Sequence, residues 1–368
     1  MFAVGFLVRP LGGWLLGRYA DRRGRRAGLT LSILLMCGGS LAIAVTPTYP
    51  TIAIAAPLLL TVARLVQGFS VGGEYGTSAT YLSEAAPPGR RGLYASFQYV
   101  TLIGGLLLAS AVLLGLQGLL SAQQLDAWGW RIAFAIGAAC ALVALELRRR
   151  LPETWAVAGG AAQLKEAGGI ALLLQHRREA LIVAGLTLGG TVAFYTCTTY
   201  MLTFLVNTAG LTRPQATVIS TASLLWCMLL QPLFGALSDH VGRRPLLVSF
   251  GVLGTLGTVP LLSTLAHVRS APAAFGLVMA ALAVVAAYTA ISPVVKAELF
   301  PAEIRALGVG LPYSLTVAVF GGSASYLALW FKSIGHESLY YWYVTGCIAC
   351  SLAVYAGMRE TRRTSRLD

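Results

Sequence analysis

The chain has 368 residues, of which 57% are hydrophobic and only 11% charged, and its formal net charge is +13. Soluble domains average about 25% charged residues, so this composition excludes a water-compatible globular surface and makes lipid the solvent. The positive charge is dispersed over short loops between apolar stretches, which argues against a nucleic-acid-binding surface.

A bilayer core of about 30 Å takes roughly 20 apolar residues per helix. Eleven such stretches are predicted, at 1–17, 28–46, 53–84, 92–117, 129–148, 179–207, 214–237, 245–266, 273–297, 306–331 and 338–358. None has the ten-residue alternation of an outer-membrane barrel strand. The expected fold class is an all-α polytopic membrane protein. The first stretch carries Arg9 and runs into the turn Gly17-Arg18-Tyr19-Ala20-Asp21-Arg22-Arg23-Gly24-Arg25-Arg26. The third holds Arg64, Gln67, Glu74 and Ser78 and ends at Glu84. Pro87, Arg90 and Arg91 follow, then a fourth stretch with Gln98, Tyr99 and Gly104-Gly105. The fifth begins with Trp128, Trp130 and Arg131. Residues 149–178, with Arg149, Arg150, Pro152, Glu153, Lys165, Arg177 and Arg178, have the composition of a linker. The sixth stretch contains Tyr195 and Tyr200. The seventh ends in Gly235-Ala236-Leu237-Ser238-Asp239-His240-Val241-Gly242-Arg243-Arg244, which repeats the first basic turn as G-x-x-x-D-x-x-G-R-R. Glu298, Pro301 and Arg305 repeat the spacing of Glu84, Pro87 and Arg91.

Two motifs thus recur in nearly one register, with Asp21 and Asp239 218 residues apart and Glu84 and Glu298 214 apart. The expected organisation is a bundle at 1–148, a cytoplasmic loop at 149–178 and a second bundle at 179–368. Repeated halves with a substrate site between them describe a transporter. Of the 27 Lys and Arg, twenty fall at 18–26, 90–91, 148–178, 243–244, 305 and 359–366, all on one side; by the positive-inside rule that side is cytoplasmic. Trp128, Trp130 and Tyr340-Tyr341-Trp342-Tyr343 are expected to form an aromatic belt at the opposite face. The six cysteines lie within apolar stretches and are expected to pack as small buried groups. Two helices precede the second basic turn and one precedes the first, so the full fold is expected to have one further N-terminal helix, absent from this chain.

The doubled basic turn is similar to the signature turn of the major facilitator superfamily. The run Arg64-Leu65-Val66-Gln67-Gly68-Phe69-Ser70-Val71-Gly72-Gly73-Glu74-Tyr75 resembles that superfamily's metabolite:proton symporter branch. The segments 95–105, Phe194-Tyr195-Thr196-Cys197-Thr198-Thr199-Tyr200, Lys296-Ala297-Glu298-Leu299-Phe300-Pro301 and 320–324 are most similar to its 2-oxoglutarate carriers. The resemblance implies two pseudo-repeated six-helix bundles, with eleven of the twelve helices present. It also implies proton-coupled uptake of a dicarboxylate by a monomer in the bacterial inner membrane, with a cytoplasmic C-terminus. Citrate, shikimate or betaine as substrate stay open, as does a transport-inactive fragment. In the family the basic turn latches one conformational state; here that role would fall to Gly17, Asp21, Arg25, Glu84, Arg91, Asp239, Arg243, Glu298 and Arg305.

Ionisable groups within the bilayer are expensive and point to function. At about 1.5 Å per residue Glu74 is about 15 Å and Arg9 about 12 Å from the basic ends of their helices, while Arg64 and Arg131 sit towards the other face. Gln67, Glu74 and Ser78 share one side of their helix, and lipid cannot face that stripe. Arg9 and Arg64 are therefore candidates for binding an anion, since guanidinium forks match carboxylates. Gln67, Gln98, Tyr99, Arg131, Tyr195 and Tyr200 are candidate substrate donors, and Glu74 the candidate proton carrier. The alternatives are intramembrane pairing of Arg64 with Glu74, interfacial snorkelling of Arg131, and helix packing for the tyrosines. Glycine pairs 104–105 and 321–322 are expected at close helix interfaces. There is no G-x-x-x-x-G-K-[ST] run, and the four histidines are dispersed. The expected partners are therefore an organic acid anion, a proton and lipid, with no cofactor, no metal, no nucleic acid and no covalent chemistry.

Overall fold

The computed structural model describes residues 2–154 and 167–367, with side chains from residue 5 onward. Among the described residues there are eleven long helices and no strand. They are α1 Phe2–Arg23, α2 Arg25–Val45, α3 Ala55–Glu84, α4 Arg91–Leu119, α5 Ala122–Arg149, α6 Arg177–Asn207, α7 Arg213–Val241, α8 Arg243–His267, α9 Ala271–Glu298, α10 Ala302–Ser333 and α11 Glu337–Gly357. Helices α2 to α11 are long and apolar enough to cross a membrane. Of the eleven expected spans, α1 alone falls short on composition. Its 22 residues reach about 33 Å at about 1.5 Å each, but Arg9, Arg18, Asp21, Arg22 and Arg23 dilute its apolar content. Residues 155–166 of the predicted linker lie outside the described residues.

Regular hydrogen bonding is interrupted where the sequence or packing demands it. Helix α9 breaks at Ala290–Ile291, just before Pro293, which has no amide to continue the ladder. π-turns occur at Leu125–Gly129, Thr196–Tyr200 and Val317–Gly321. Such turns are often found at functional sites.

Contacts divide the chain into two compact units. One comprises Met1–Tyr81, Gly105–Arg177 and Pro301–Leu315; the other comprises Leu82–Gly104, Arg178–Phe300 and Thr316–Asp368. The first therefore includes the start of α10 from late in the sequence, and the second includes the start of α4 from early in it. In lipid, apolar helices gain little from hydrophobic burial, so close backbone approach and hydrogen bonds hold them together. In the first unit, α1 and α3 meet along Gly68-x-x-x-Gly72. A Cβ at Gly72 would come within 2.0 Å of the Arg9 carbonyl oxygen, so only glycine permits this approach. Helices α2 and α5 pack through Ile33, Cys37, Ala138, Ala141 and Leu145. In the second unit, Ser351 accepts from the Gly189 amide at 2.8 Å and donates to Gly185 at 2.6 Å, while the Tyr355 hydroxyl donates to Leu186 at 2.9 Å. These bonds fasten α11 to α6.

Three packing expectations are corrected. Of the run 340–343, Trp342 is exposed but Tyr340 and Tyr341 are buried, because successive helical residues point in different directions. The Tyr340 hydroxyl meets Thr196 at 2.7 Å. Among the cysteines, Cys37, Cys227 and Cys347 are buried, but Cys140 and Cys350 are exposed. Gly105 has open space where a Cβ would stand, and Gly104 meets only the Met228 sulfur at 3.6 Å, so this pair makes no tight interface. Gly321 does, against the Tyr195 ring.

Candidate functional site

The basic turn of the first unit is an anchor for helix starts. The first amides of a helix have no partner within it, and the helix dipole favours negative charge there. Asp21 supplies that charge to the segment of α10 that begins at Arg305. Its carboxylate accepts from the Ala306 amide at 3.0 Å and the Leu307 amide at 2.9 Å. Arg25, also fully buried, donates to Asp21 at 2.5 Å and to the Ala302 carbonyl at 2.7 Å. Gly17 lets the chains approach, since a Cβ there would lie 2.9 Å from the Leu307 Cα.

The second unit repeats the device with different partners. Asp239 accepts from the Gly92 amide at 2.8 Å and the Leu93 amide at 2.9 Å, at the start of α4. Arg243 donates to Asp239 at 2.9 Å and lies 3.5 Å from Glu298. Glu298, almost fully buried, also accepts from the Thr361 hydroxyl at 2.5 Å. Arg91 donates to Ser365 at 3.4 Å. Glu84 is half-buried at the end of α3, and Arg305 is buried at its turn.

A second pair of carboxylates escaped the sequence reading. Glu153 accepts from the amides of Arg25 at 2.8 Å and Arg26 at 3.1 Å, at the start of α2. Glu360 accepts from the amides of Arg243 and Arg244, both at 2.9 Å, at the start of α8. The turn glycines bring the carboxylates in: Gly24 has φ 101° and Gly242 φ 99°, a region other residues rarely adopt. The available signal was the dipeptide Glu-Thr, at 153–154 and 360–361, just beyond the last helix of each sequence half.

The intramembrane candidates are distributed over both units. Arg9, Arg64, Gln67, Glu74 and Arg131 belong to the first; Gln98, Tyr99, Tyr195 and Tyr200 belong to the second. The Arg9 guanidinium lies 3.7 Å above the Phe6 ring. Arg64 is exposed, 3.3 Å from the Gln67 side-chain oxygen and 5.2 Å from the Phe134 ring centroid, and Gln67 donates to Ser40 at 3.0 Å. Glu74 pairs with Arg148, whose guanidinium also donates to the Leu29 carbonyl at 2.9 Å. The expected alternative partner, Arg64, lies ten residues away on α3, about 15 Å along its axis. Arg131 donates to the carbonyls of Ala44 at 2.8 Å and Thr46 at 2.6 Å, capping the C-terminal end of α2. Tyr99 packs edge-on to Phe194, and Phe194 edge-on to Tyr195, with centroids 5.5 and 5.7 Å apart. Tyr200 is separate from this line. It packs on Tyr340 and Phe204, with its hydroxyl 3.5 Å from Glu337. Tyr313, in the first unit, stacks on Tyr75 with centroids 3.4 Å apart.

Residues 1–171 and 161–365 each match the family described as "Sugar (and other) transporter". The chain belongs to this family. The chain is 57% identical to the Escherichia coli alpha-ketoglutarate permease, over 94% of this chain and 79% of the relative. It is 34% identical to a Klebsiella pneumoniae citrate-proton symporter, over 88% of this chain and 72% of the relative. Among solved structures it resembles a major facilitator superfamily proton:xylose symporter bound to 6-bromo-6-deoxy-D-glucose. That likeness has TM-score 0.81 at 20% identity and covers 99% of this chain and 86% of the other.

This transporter therefore has the major facilitator fold and is not an enzyme. Ten apolar spans among the described residues make it a multi-pass membrane protein of the bacterial inner-membrane transporter type. Each of the two matched stretches contains one copy of the basic turn.

Proposed function

We propose that the chain is a proton-coupled carrier that takes up 2-oxoglutarate by alternating access between two pseudo-repeated bundles, 1–148 and 179–368. The observation that carries the substrate assignment is the 57% identity to the alpha-ketoglutarate permease, against 34% to the citrate-proton symporter. The dicarboxylate needs paired cationic or strong hydrogen-bond donors. Arg9 and Arg64 supply the cations, with Gln67, Gln98, Tyr99 and Tyr195 as neutral donors. Arg131 and Tyr200 act from further out, through the helix end and the Glu337 cluster they hold. Glu74 carries the proton in exchange with its Arg148 pairing: protonation releases the guanidinium, and loss of the proton restores the pair. Asp21 and Asp239, with Arg25, Arg243, Glu298 and their neighbours, hold the helix starts in one state and release them in the other. The protein acts as a monomer in the inner membrane, with the basic turns and the C-terminus on the cytoplasmic side.

The test is uptake of labelled 2-oxoglutarate into proteoliposomes with an imposed proton gradient. Accumulation should require the gradient, collapse with a protonophore, and be competed by unlabelled 2-oxoglutarate more strongly than by citrate, shikimate or betaine. Uptake indifferent to the gradient would refute the coupling, and stronger competition by citrate would reassign the substrate.

A further inference from the structure

A cavity of about 620 Å³ lies in the second unit where α7 ends, α8 begins and the C-terminal segment returns. Its walls include His240, Val241, Arg244, Glu360, Arg362 and Arg363. The Glu360 carboxylate is already engaged by the backbone amides of Arg243, Arg244 and Arg362, at 2.9, 2.9 and 3.2 Å. Three guanidinium groups therefore dominate the charge of the cavity. Two of them are held in place. Arg362 donates to the His240 carbonyl at 2.8 Å, and Arg244 to the Ala356 carbonyl at 2.7 Å. Each bond uses one of five N–H donors, so both forks keep donors for a ligand.

The cavity also opens beside an apolar track. Val241 in its wall is the last of four exposed residues on α7 spaced by four: Leu229, Leu233, Leu237 and Val241. Residues at that spacing line one side of a helix. Arg244 is part of the repeated turn, but Arg362 and Arg363 are not demanded by the fold. After the equivalent Glu-Thr of the first half, the sequence has Trp155-Ala156 where the second has Arg362-Arg363.

We propose that this cavity binds the phosphodiester headgroup of an anionic phospholipid, with an acyl chain lying along Leu237, Leu233 and Leu229. Guanidinium forks match phosphate oxygens, and basic pockets at the ends of membrane helices are suited to anionic headgroups. A free phosphate would use the same arginines and leave the apolar track unused.

Native mass spectrometry of the full chain, released from detergent with phosphatidylglycerol, cardiolipin or phosphatidylcholine added, tests the site. The anionic lipids should bind tightly and phosphatidylcholine weakly. Combined Arg244→Gln, Arg362→Gln and Arg363→Gln should weaken the first anionic adduct about tenfold or more, while Arg149→Gln with Arg150→Gln should leave it unchanged. If the triple variant is misfolded by its thermal transition, Arg363→Gln alone, on an exposed side chain, should still weaken the adduct severalfold. Equal binding of phosphatidylcholine, unchanged binding by the arginine variants, or complete displacement by millimolar inorganic phosphate would overturn the proposal.

Discussion

Replacing Asp21 with Asn isolates the charge of the first-unit anchor while keeping its shape. In the native structure two amides of α10 and the Arg25 guanidinium all donate to this one carboxylate. Asn keeps one acceptor oxygen and presents an NH₂ group to the other donor, so one amide loses its partner and the other loses charge assistance. Hydrogen bonds to charged groups contribute about 1.5–3 kcal/mol each and neutral ones about 1 kcal/mol. Arg25 keeps its bonds to Ala20 and Ala302, which limits the further loss. The net loss is about 2–3 kcal/mol for opening at the start of this helix segment, or roughly 30- to 150-fold faster amide exchange. Hydrogen–deuterium exchange with mass spectrometry on the detergent-solubilised chain reads this in peptides covering 302–315. The peptides covering 91–100 should be unaffected, because Asp239 anchors that start. Asp239→Asn should give the reciprocal pattern. Unchanged exchange at 302–315 in the Asp21 variant, or equal acceleration at both sites, would refute the idea of two separate carboxylate anchors.

The Glu74–Arg148 pair is partly buried, so Arg148→Gln should leave a poorly compensated carboxylate and lower the thermal transition; Arg148→Gln with Glu74→Gln should recover part of the loss, with a coupling of about 1–2 kcal/mol by double-mutant cycle. Additive effects would show that the pair contributes nothing. Arg131→Met should accelerate exchange at 41–48, where the α2 carbonyls lose their cap, and leave the apparent KM for 2-oxoglutarate nearly unchanged. A KM rise of tenfold or more, about 1.4 kcal/mol, with no change in exchange would make Arg131 a direct substrate ligand. Gly24→Ala places a side chain at φ 101° against Glu153 and should destabilise the fold by about 1–2 kcal/mol, measured as a lowered thermal transition. Arg64→Gln should raise the KM for 2-oxoglutarate without altering exchange at 302–315; wild-type uptake would remove Arg64 from the substrate site.

Much of the fold was legible because bilayer thickness converts directly into a length of apolar sequence. Ten of the eleven predicted stretches emerged as helices able to span, and the doubled basic turn marked where helices end. The role of Asp21 and Asp239 was also legible in outline, since an acid beside two glycines and several arginines is suited to binding helix ends. Glu153 and Glu360 were harder to see. Each lies more than a hundred residues from the helix start it caps, and a single carboxylate on a loop gives no periodic signal. Glu74 was singled out as an intramembrane acid and is partly buried, but the partner considered for it was Arg64 on its own helix. Arg148 lies at the end of α5 and reaches it only because α2, α3 and α5 are neighbours.

The sequence by itself determined the solvent, the number and length of the helices, and the doubling of the basic turn. These depend on local composition measured against the thickness of hydrocarbon, a one-dimensional property. Only the tertiary structure decided which carboxylate holds which helix start, that Arg131 closes the end of α2, and that three arginines from α8 and the C-terminal segment share one cavity. Those pairings are set by the packing of helices distant along the chain. Several acids and several helix ends were chemically equivalent in the sequence, and only geometry selects among them.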